Sequence, residues 1–591
     1  MDCFNYPIDV KTLRRKKASI RRTLLEQPNL IEKKIAVLGG STTNEVVDQL
    51  ELFLLSYGIK ADFYQSEYGK YWEDAMFGSP ELDGFDPDII FIHTNWRNII
   101  EFPQMNMDKT QVDDILAGEY QRFEGMWQRL SEKFNCPIIQ NNFERPNYRL
   151  MGNRDVWDYR GRANFVTRLN QKFYEYADGH TGFYINDIDY LAADFGISQW
   201  NDAKYWNMYK CINMDAIPYI AQSVAFIIKS IYGRNKKVLA LDLDNTLWGG
   251  IVGDDGPENI KIGQEDAVSE LYSEFQEYVK AHKDLGILLT VNSKNEEENA
   301  IAGLSRPDSV LKPDDFLIIK ANWENKDRNL VATAKEINIG VDSLVFIDDN
   351  PAERTIVRDS VESSTVPEVG SPETYIDVID SNGFFEVTGI SAEDLKRNEM
   401  YKANLERQQV QDSFADYGEY LESLEMKGEI LPFAPMYLAR IAELTNKSNQ
   451  FNLTTRRCSL AEIEQIAEDP HYVTLYGKLI DKFGDNGVVS VAFGHIDGKT
   501  ADIDLWLMSC RVLKRDMECA MMDEFVRLCS ERGVTTIVGH YYPTAKNKMV
   551  REFFDDRGFK LVEEDGDGNR LYELDIAGGY ENTNKYIKVN P

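Results

Sequence analysis

Val238-Leu239-Ala240-Leu241-Asp242-Leu243-Asp244-Asn245-Thr246-Leu247-Trp248 opens with an apolar run and then sets two carboxylates one residue apart. The run reads as a buried parallel strand, and the acids fall where that strand ends and the backbone turns. At the carboxyl end of such a strand, carboxylates can hold a divalent cation, with one acid as nucleophile and the next as proton donor. Taken alone, the same pattern is also that of a turn with capping carboxylates. The flanking sequence decides between the two.

Two more strands of this kind lie downstream. Ile287-Leu288-Leu289-Thr290-Val291-Asn292 runs into Ser293-Lys294-Asn295, where a hydroxyl and nearby amides suit a phosphoryl oxygen. Ser343-Leu344-Val345-Phe346-Ile347 runs into Asp348-Asp349-Asn350-Pro351, and Lys326 stands between them ahead of a helical stretch. Phosphoryl transfer needs an oxygen nucleophile, a metal that neutralises charge, donors for the equatorial oxygens and an opposing cation. In this order, Asp242-Leu243-Asp244-Asn245-Thr246, Ser293, Lys326 and Asp348-Asp349 resemble the four motifs of the haloacid dehalogenase (HAD) superfamily over residues 236–385. The resemblance implies that Asp242 becomes an aspartyl-phosphate and that Asp244 serves as general acid and base. It implies that Thr246, Ser293 and Lys326 contact the phosphorylated substrate. It also implies that Asp242, the backbone of Asp244, and Asp348 bind Mg²⁺, with Asp349 in support. About fifty residues separate the first acids from Ser293, and fewer separate the later motifs, which leaves no room for a separate cap domain. The segment Trp248 to Gly256 reads as a glycine-rich hairpin flap.

Upstream, residues 31–235 alternate strands and helices, which implies a doubly wound parallel sheet. Strands are expected at Ile35–Leu38, Ala61–Tyr64, Ile89–His93 and Pro137–Gln140, with helices at Asn44–Ser56 and Tyr209–Tyr232. Ser41 after the first strand, together with His93-Thr94-Asn95-Trp96, resembles an SGNH hydrolase domain. The stretch Trp200 to Trp206, where that fold places its Asp-x-x-His pair, contains no histidine. The expectation is a degenerate domain that binds or scaffolds. Residues 1–30 carry a basic amphipathic helix with Lys11, Arg14, Arg15, Lys16, Lys17, Arg21 and Arg22. It is read as a solvated face or as a dock for an acidic partner.

Downstream, residues 386–423 read as a helical connector, and the strand and helix order of residues 424–591 resembles an N-acetyltransferase (GNAT) fold. Lys514, Arg515 and Asp516 occupy the turn that is usually glycine-rich in that fold, which argues against ordinary acetyl-CoA binding. Cys510 stands where a strand gives way to a helix, with Arg511, Lys514 and Arg515 close behind. That setting suits a nucleophilic thiol; a structural cysteine is the alternative.

The whole is an α/β chain of three domains: SGNH-like, HAD-like without a large cap, and GNAT-like. Together they resemble the FkbH family, which Phe451-Asn452-Leu453-Thr454-Thr455-Arg456-Arg457 and Asp485-Asn486-Gly487 also fit. The resemblance implies a Mg²⁺-dependent phosphatase and glyceryl transferase. Such an enzyme would take the acyl phosphate of 1,3-bisphosphoglycerate onto Cys510, remove the remaining phosphate at Asp242 and Asp244, and pass the glyceryl group to an acyl carrier protein. A plain phosphatase of a small phosphorylated metabolite, with the flanking domains as lid and scaffold, is the main alternative; a catalytically idle scaffold is the other. The formal charge of −32 over 591 residues argues against a nucleic-acid partner. No window has the length and apolarity of a membrane span, and the start lacks a secretion signal, so a cytoplasmic location is expected. Seven cysteines without metal-ligand spacing are expected to be reduced.

Overall fold

Aliphatic strands alternating with amphipathic helices build parallel sheets, and this chain does so twice before turning to antiparallel pairing. The computed structural model describes residues 2–28, 30–201, 212–448, 450–544 and 546–590. It divides into two units, Met1–Ile231 and Tyr232–Pro591.

In the first unit, β1 (Ile31–Gly39), β2 (Ile59–Gln65), β3 (Ile89–His93), β4 (Ile138–Asn141) and β5 (Phe183–Asn186) pair in parallel, in the order β2-β1-β3-β4-β5. β5 was not expected, because a run of four residues is too short for its periodicity to mark a strand. The basic helix Val10–Leu25 buries Leu13, Ile20 and Leu24. Several of its charges are matched within the unit: Arg14 pairs with Asp215 at 2.7 Å, Arg21 with Glu51 at 2.8 Å, and Lys17 with Asp48. The helix expected from Tyr209 instead runs Ile217–Ile231, with Pro218 in its first turn, where a missing N–H leaves no helical bond unmade. Tyr209 to Cys211 lie outside the described residues.

The second unit begins with β6 (Val238–Leu241), β7 (Leu288–Ser293), β8 (Ile318–Ala321) and β9 (Leu344–Ile347), all parallel in the order β8-β7-β6-β9. The register of this sheet positions the acids: Leu241 lies opposite Val291 on one side and Ile347 on the other. Asp242 and Asp348 therefore leave adjacent strands side by side. The segment expected as a hairpin flap is different. Val252–Asp255 forms a short helix, and Gly249 pairs instead with Lys261 in an isolated bridge. Asp255 causes the change by accepting the Ile251 N–H at 2.8 Å, which closes a helical turn where a hairpin would need cross-strand bonds.

Helices at Ala392–Leu395, Arg397–Gln411 and Tyr417–Ser423 lead to a mainly antiparallel sheet. Its strands are β10 (Lys427–Leu431), β11 (Phe451–Asn452), β12 (Tyr472–Asp481), β13 (Gly484–Asp497), β14 (Thr500–Met508), β15 (Thr536–Tyr541), β16 (Lys560–Glu564), β17 (Arg570–Asp575) and β18 (Lys588–Val589). The order is β16-β17-β15-β14-β13-β12-β10-β18. Alternate residues of β14 serve opposite faces, as a pleated strand requires: Trp506 packs with Phe525 and Ile537, while Leu505 and Leu507 pack with Ile441 and Ile463. β14 and β15 are parallel and pair only from Thr500 to Ile503, after which they part. β11 fills the gap by pairing with Leu507 and Met508. Among the described residues, no helix is long and apolar enough to cross a membrane.

Candidate active site

The acids expected to act together meet at the carboxyl ends of β6 and β9. One carboxylate oxygen from each of Asp242, Asp348 and Asp349 lies within 4.8 Å of the others. Lys326, the first residue of the helix Lys326–Glu336 after β8, places its Nζ 3.0 Å from Asp242 Oδ2 and 2.6 Å from Asp348 Oδ2. All four side chains are buried or half-buried. Burial works to lower the Lys326 pKa, yet the two carboxylates more than offset it and raise the ammonium above its ordinary range. Asp348 and Asp349 are both pushed up, by burial first and then by the Asp242 charge.

Asp244 faces a different set of groups. Its Oδ1 accepts the Trp248 indole N–H at 2.9 Å and the Val252 N–H at 3.0 Å, and its Oδ2 accepts Asn295 Nδ2 at 2.8 Å. Its side chain is thus outside the three-carboxylate cluster. Burial raises its pKa, and these donors work in the opposite direction. Asn245 makes the turn in a left-handed conformation at φ 55°, and its carbonyl accepts the Tyr375 hydroxyl at 2.9 Å. Thr246 Oγ1 accepts the Asp349 N–H at 3.2 Å, which ties the first motif to the last. Ser293 ends β7 and is buried.

Three contributors were not assigned these roles from sequence. Trp248 is fully buried against Gly303, where an added Cβ would lie 2.9 Å from its ring. Asn295, expected to face a phosphoryl oxygen, instead holds Asp244. Arg354 donates through Nη1 to the carbonyls of Asp348 at 2.7 Å and Asp349 at 2.8 Å, fixing the two-acid loop. The i, i+4 spacing of Asp244 and Trp248 was a usable signal; Asn295 was marked only as a polar residue after a strand, and Arg354 left no signal in the local pattern.

Cys510 is not brought to this site. It follows β14 in a tight turn; its carbonyl accepts Asn338 Nδ2 at 3.1 Å, and its thiol neighbours the buried Tyr401 side chain. Asn338 follows the far end of the helix that begins at Lys326, and ten residue steps of about 1.5 Å place that end roughly 15 Å away. Lys237, a charged neighbour of Cys510, precedes β6 whereas Asp242 follows it, which again gives roughly 16 Å at about 3.3 Å per residue. Cys510 therefore belongs to the amino-terminal edge of the HAD-like sheet, opposite the acids. Arg515 in the same turn is committed to protein groups, Asp481 at 3.2 Å and Asn404 at 2.9 Å.

In the first unit, Ser41 is buried after β1, and His93 Nδ1 pairs with Asn141 Nδ2 at 3.0 Å. Asp202 to Trp206, expected to lack the activating histidine, lie outside the described residues.

Residues 34–229 match the model of the FkbH N-terminal domain. No curated protein matches the chain. Among solved structures, the N-terminal part of the protein BF1531 from Bacteroides fragilis, which contains a phosphatase domain and is complexed with Mg, is similar at 29% identity. The similarity covers 63% of this chain and 99% of that one, with a TM-score of 0.58. The ribosomal-protein-S18-alanine N-acetyltransferase from Escherichia coli is similar over 26% of this chain and 98% of its own, at 14% identity and a TM-score of 0.21. Residues 34–229 thus carry an FkbH N-terminal domain, and 63% of the chain is similar to a structure that contains a phosphatase domain.

Proposed function

We propose that the second unit is a Mg²⁺-dependent HAD-type phosphatase acting on a phosphomonoester. The observation that carries the reading is the cluster of Asp242, Asp348 and Asp349 within 4.8 Å, bonded by Lys326 and flanked by Asp244. The donor set fits a hard cation: three carboxylates converge, and the buried Asp242 Oδ1 has no hydrogen-bond partner among the described residues. The similar Bacteroides fragilis structure is complexed with Mg, and the same ion is the candidate here. When bound, it neutralises the charge of the acids and of the transferring phosphoryl group.

The residues then divide the work. Asp242 attacks phosphorus as the ester P–O bond breaks, and Asp244 gives its proton to the departing oxygen. Asp244, now ionised, takes a proton from a water whose oxygen attacks the same phosphorus, and the bond to Asp242 breaks to release phosphate. Lys326 and Ser293 stabilise the phosphoryl oxygens. Thr246 already accepts the Asp349 N–H, so its own hydroxyl proton remains available to donate.

The narrower reading, glyceryl transfer from 1,3-bisphosphoglycerate through Cys510 to an acyl carrier protein, requires a further step. A phosphoglyceryl thioester on Cys510 would have to cross roughly 15 Å to Asp242, farther than a three-carbon phosphoester reaches. The plain phosphatase is what the geometry supports best. Phosphate release from a panel of small phosphomonoesters tests it: activity should require Mg²⁺, fall at least about 10³-fold in Asp242→Asn, and survive Cys510→Ala. Full activity in Asp242→Asn would refute the assignment.

A further inference from the structure

Trp323 stands in the loop between β8 and Lys326, and it is 69% exposed. An indole left in water forgoes the burial that a side chain of its size can gain, so its position decides whether the exposure has a use. β8 and β7 are parallel, with Ala321 opposite Ser293, and the loop therefore opens at the same edge of the sheet as the acids. Three residues, at most about 11 Å of chain, separate Trp323 from Lys326. The Lys326 Nζ lies 3.0 Å from Asp242 Oδ2.

The ring is held in one direction. Its Nε1 donates to Glu296 Oε1 at 2.6 Å. Glu296 lies in the loop after β7, three residues past Ser293 and next to Asn295, which binds Asp244. Because the sheet order is β8-β7-β6-β9, an indole anchored from the β8 loop to the β7 loop leans toward β6 and the Asp242 at its end. The loop that carries the ring is braced as well. Asn322 N donates to the Ser293 carbonyl at 3.1 Å, and Asn322 Oδ1 accepts Glu324 N at 3.0 Å and Asn329 Nδ2 at 2.9 Å. On the Asp244 side of the site, Ile251 is 46% exposed and stands beside Val252, whose N–H bonds Asp244. Apolar side chains thus flank a polar floor.

An in-line displacement sets the leaving oxygen opposite the attacking Asp242, so the alcohol of a bound ester points away from the floor and out to this rim. With its N–H engaged by Glu296, the indole meets that alcohol with its π face. A face already fixed in place stacks a planar apolar group at little entropic cost and gains far less from a short polyol. We propose that Trp323 is a specificity-determining residue, and that the site favours phosphomonoesters whose alcohol carries a planar aromatic group stacked on the indole. The proposal rests on the phosphatase reading for turnover but not for binding, and the two are measured separately.

Titration calorimetry of the full-length, Mg²⁺-loaded protein with 3-phenylpropylphosphonate and propylphosphonate, whose C–P bonds are not hydrolysed, reads binding alone. The phenyl compound should bind about tenfold more tightly, the effect of one stacked ring. Trp323→Ala should erase that preference, and Trp323→Phe, which keeps a π face, should retain most of it. In turnover, the ratio of kcat/KM for 2-phenylethyl phosphate to that for glycerol 3-phosphate should fall about tenfold in Trp323→Ala; both are esters of primary alcohols, so the ratio reads recognition. Equal affinity for the two phosphonates, no binding of either, or a preference that persists in Trp323→Ala would each overturn the inference, and phosphate release that still requires Asp242 would leave the phosphatase reading intact. A binding preference lost in Trp323→Ala, with no phosphate released from either ester, would uphold the inference and refute the phosphatase reading.

Discussion

Adding Mg²⁺ to metal-free protein should raise the melting temperature of the second unit and leave that of the first unchanged. Asp242, Asp348 and Asp349 converge within 4.8 Å, and Lys326 bonds two of them, so the described cluster carries more negative charge than its ammonium cancels. A cation that binds only the folded site stabilises it by about 2.7 kcal/mol at one hundred times its Kd. The second unit spans the 360 residues from Tyr232 to Pro591. At about 2.1 cal/mol/K per residue its unfolding entropy is roughly 0.76 kcal/mol/K, and the expected shift is therefore about 3.5 °C. Differential scanning calorimetry of EDTA-treated protein titrated with Mg²⁺ reads it directly, and Asp348→Asn should abolish it. A shift of equal size in Asp348→Asn, or none at any Mg²⁺ concentration, would refute the placement of the metal.

Other outcomes rest on single groups. Glu144 is buried at the carboxyl end of β4, and burial first of all raises its pKa from 4.5 to about 7. A raised acid favours the protonated folded state, so stability is lost as pH climbs from 4.5 through about 7, by about 3 kcal/mol at pH 8. Glu144→Gln should therefore raise the melting temperature of the first unit at pH 8 but not at pH 4.5; an equal gain at both would sink the argument. Trp248→Phe removes one donor to Asp244 and should lower kcat about tenfold with little change in KM; a change in KM alone would contradict the positioning role. Arg354→Lys cannot span the Asp348 and Asp349 carbonyls, so it should weaken Mg²⁺ binding as measured by titration calorimetry. Unchanged affinity would show that the loop holds its shape without the guanidinium.

The acids were legible because each sits at the end of its own apolar strand, a local pattern, and because parallel strands bring like ends together. Asn295 was legible as a polar residue after a strand, but its partner is Asp244, 51 residues earlier, and sequence spacing does not encode that contact. The flap was misjudged because glycines permit a hairpin without requiring one, and Asp255 settles the matter through a single backbone bond. Cys510 was placed correctly at a strand-to-helix turn. Which edge of the HAD-like sheet that turn meets depends on packing through Asn338 and Tyr401, about which the turn itself says nothing.

The parting of β14 from β15 bears on the carboxyl-terminal sheet in the same way. Parallel strands that separate leave backbone N–H and C=O groups open, and an amide-bearing arm such as pantetheine can add there as an extra strand. In this chain the position is taken. Leu453 N donates to the Trp506 carbonyl at 3.0 Å, and Tyr542 N donates to the Leu453 carbonyl at 2.9 Å. The adjoining turn offers no compensating cradle, since Lys514 and Asp516 adopt left-handed φ of 62° and 66° and Arg515 is tied to Asp481. A ligand entering there must displace two backbone bonds, at about 1 kcal/mol each, before making its own. Coenzyme A titrated by calorimetry should accordingly show no binding at micromolar concentrations, and Leu453→Pro, which removes one of the two N–H donors, should weaken the domain without creating a site. Micromolar binding to the unaltered protein would mean that the segment Phe451 to Leu453 yields to the ligand, and the backbone bonds that seat it would then be a gate.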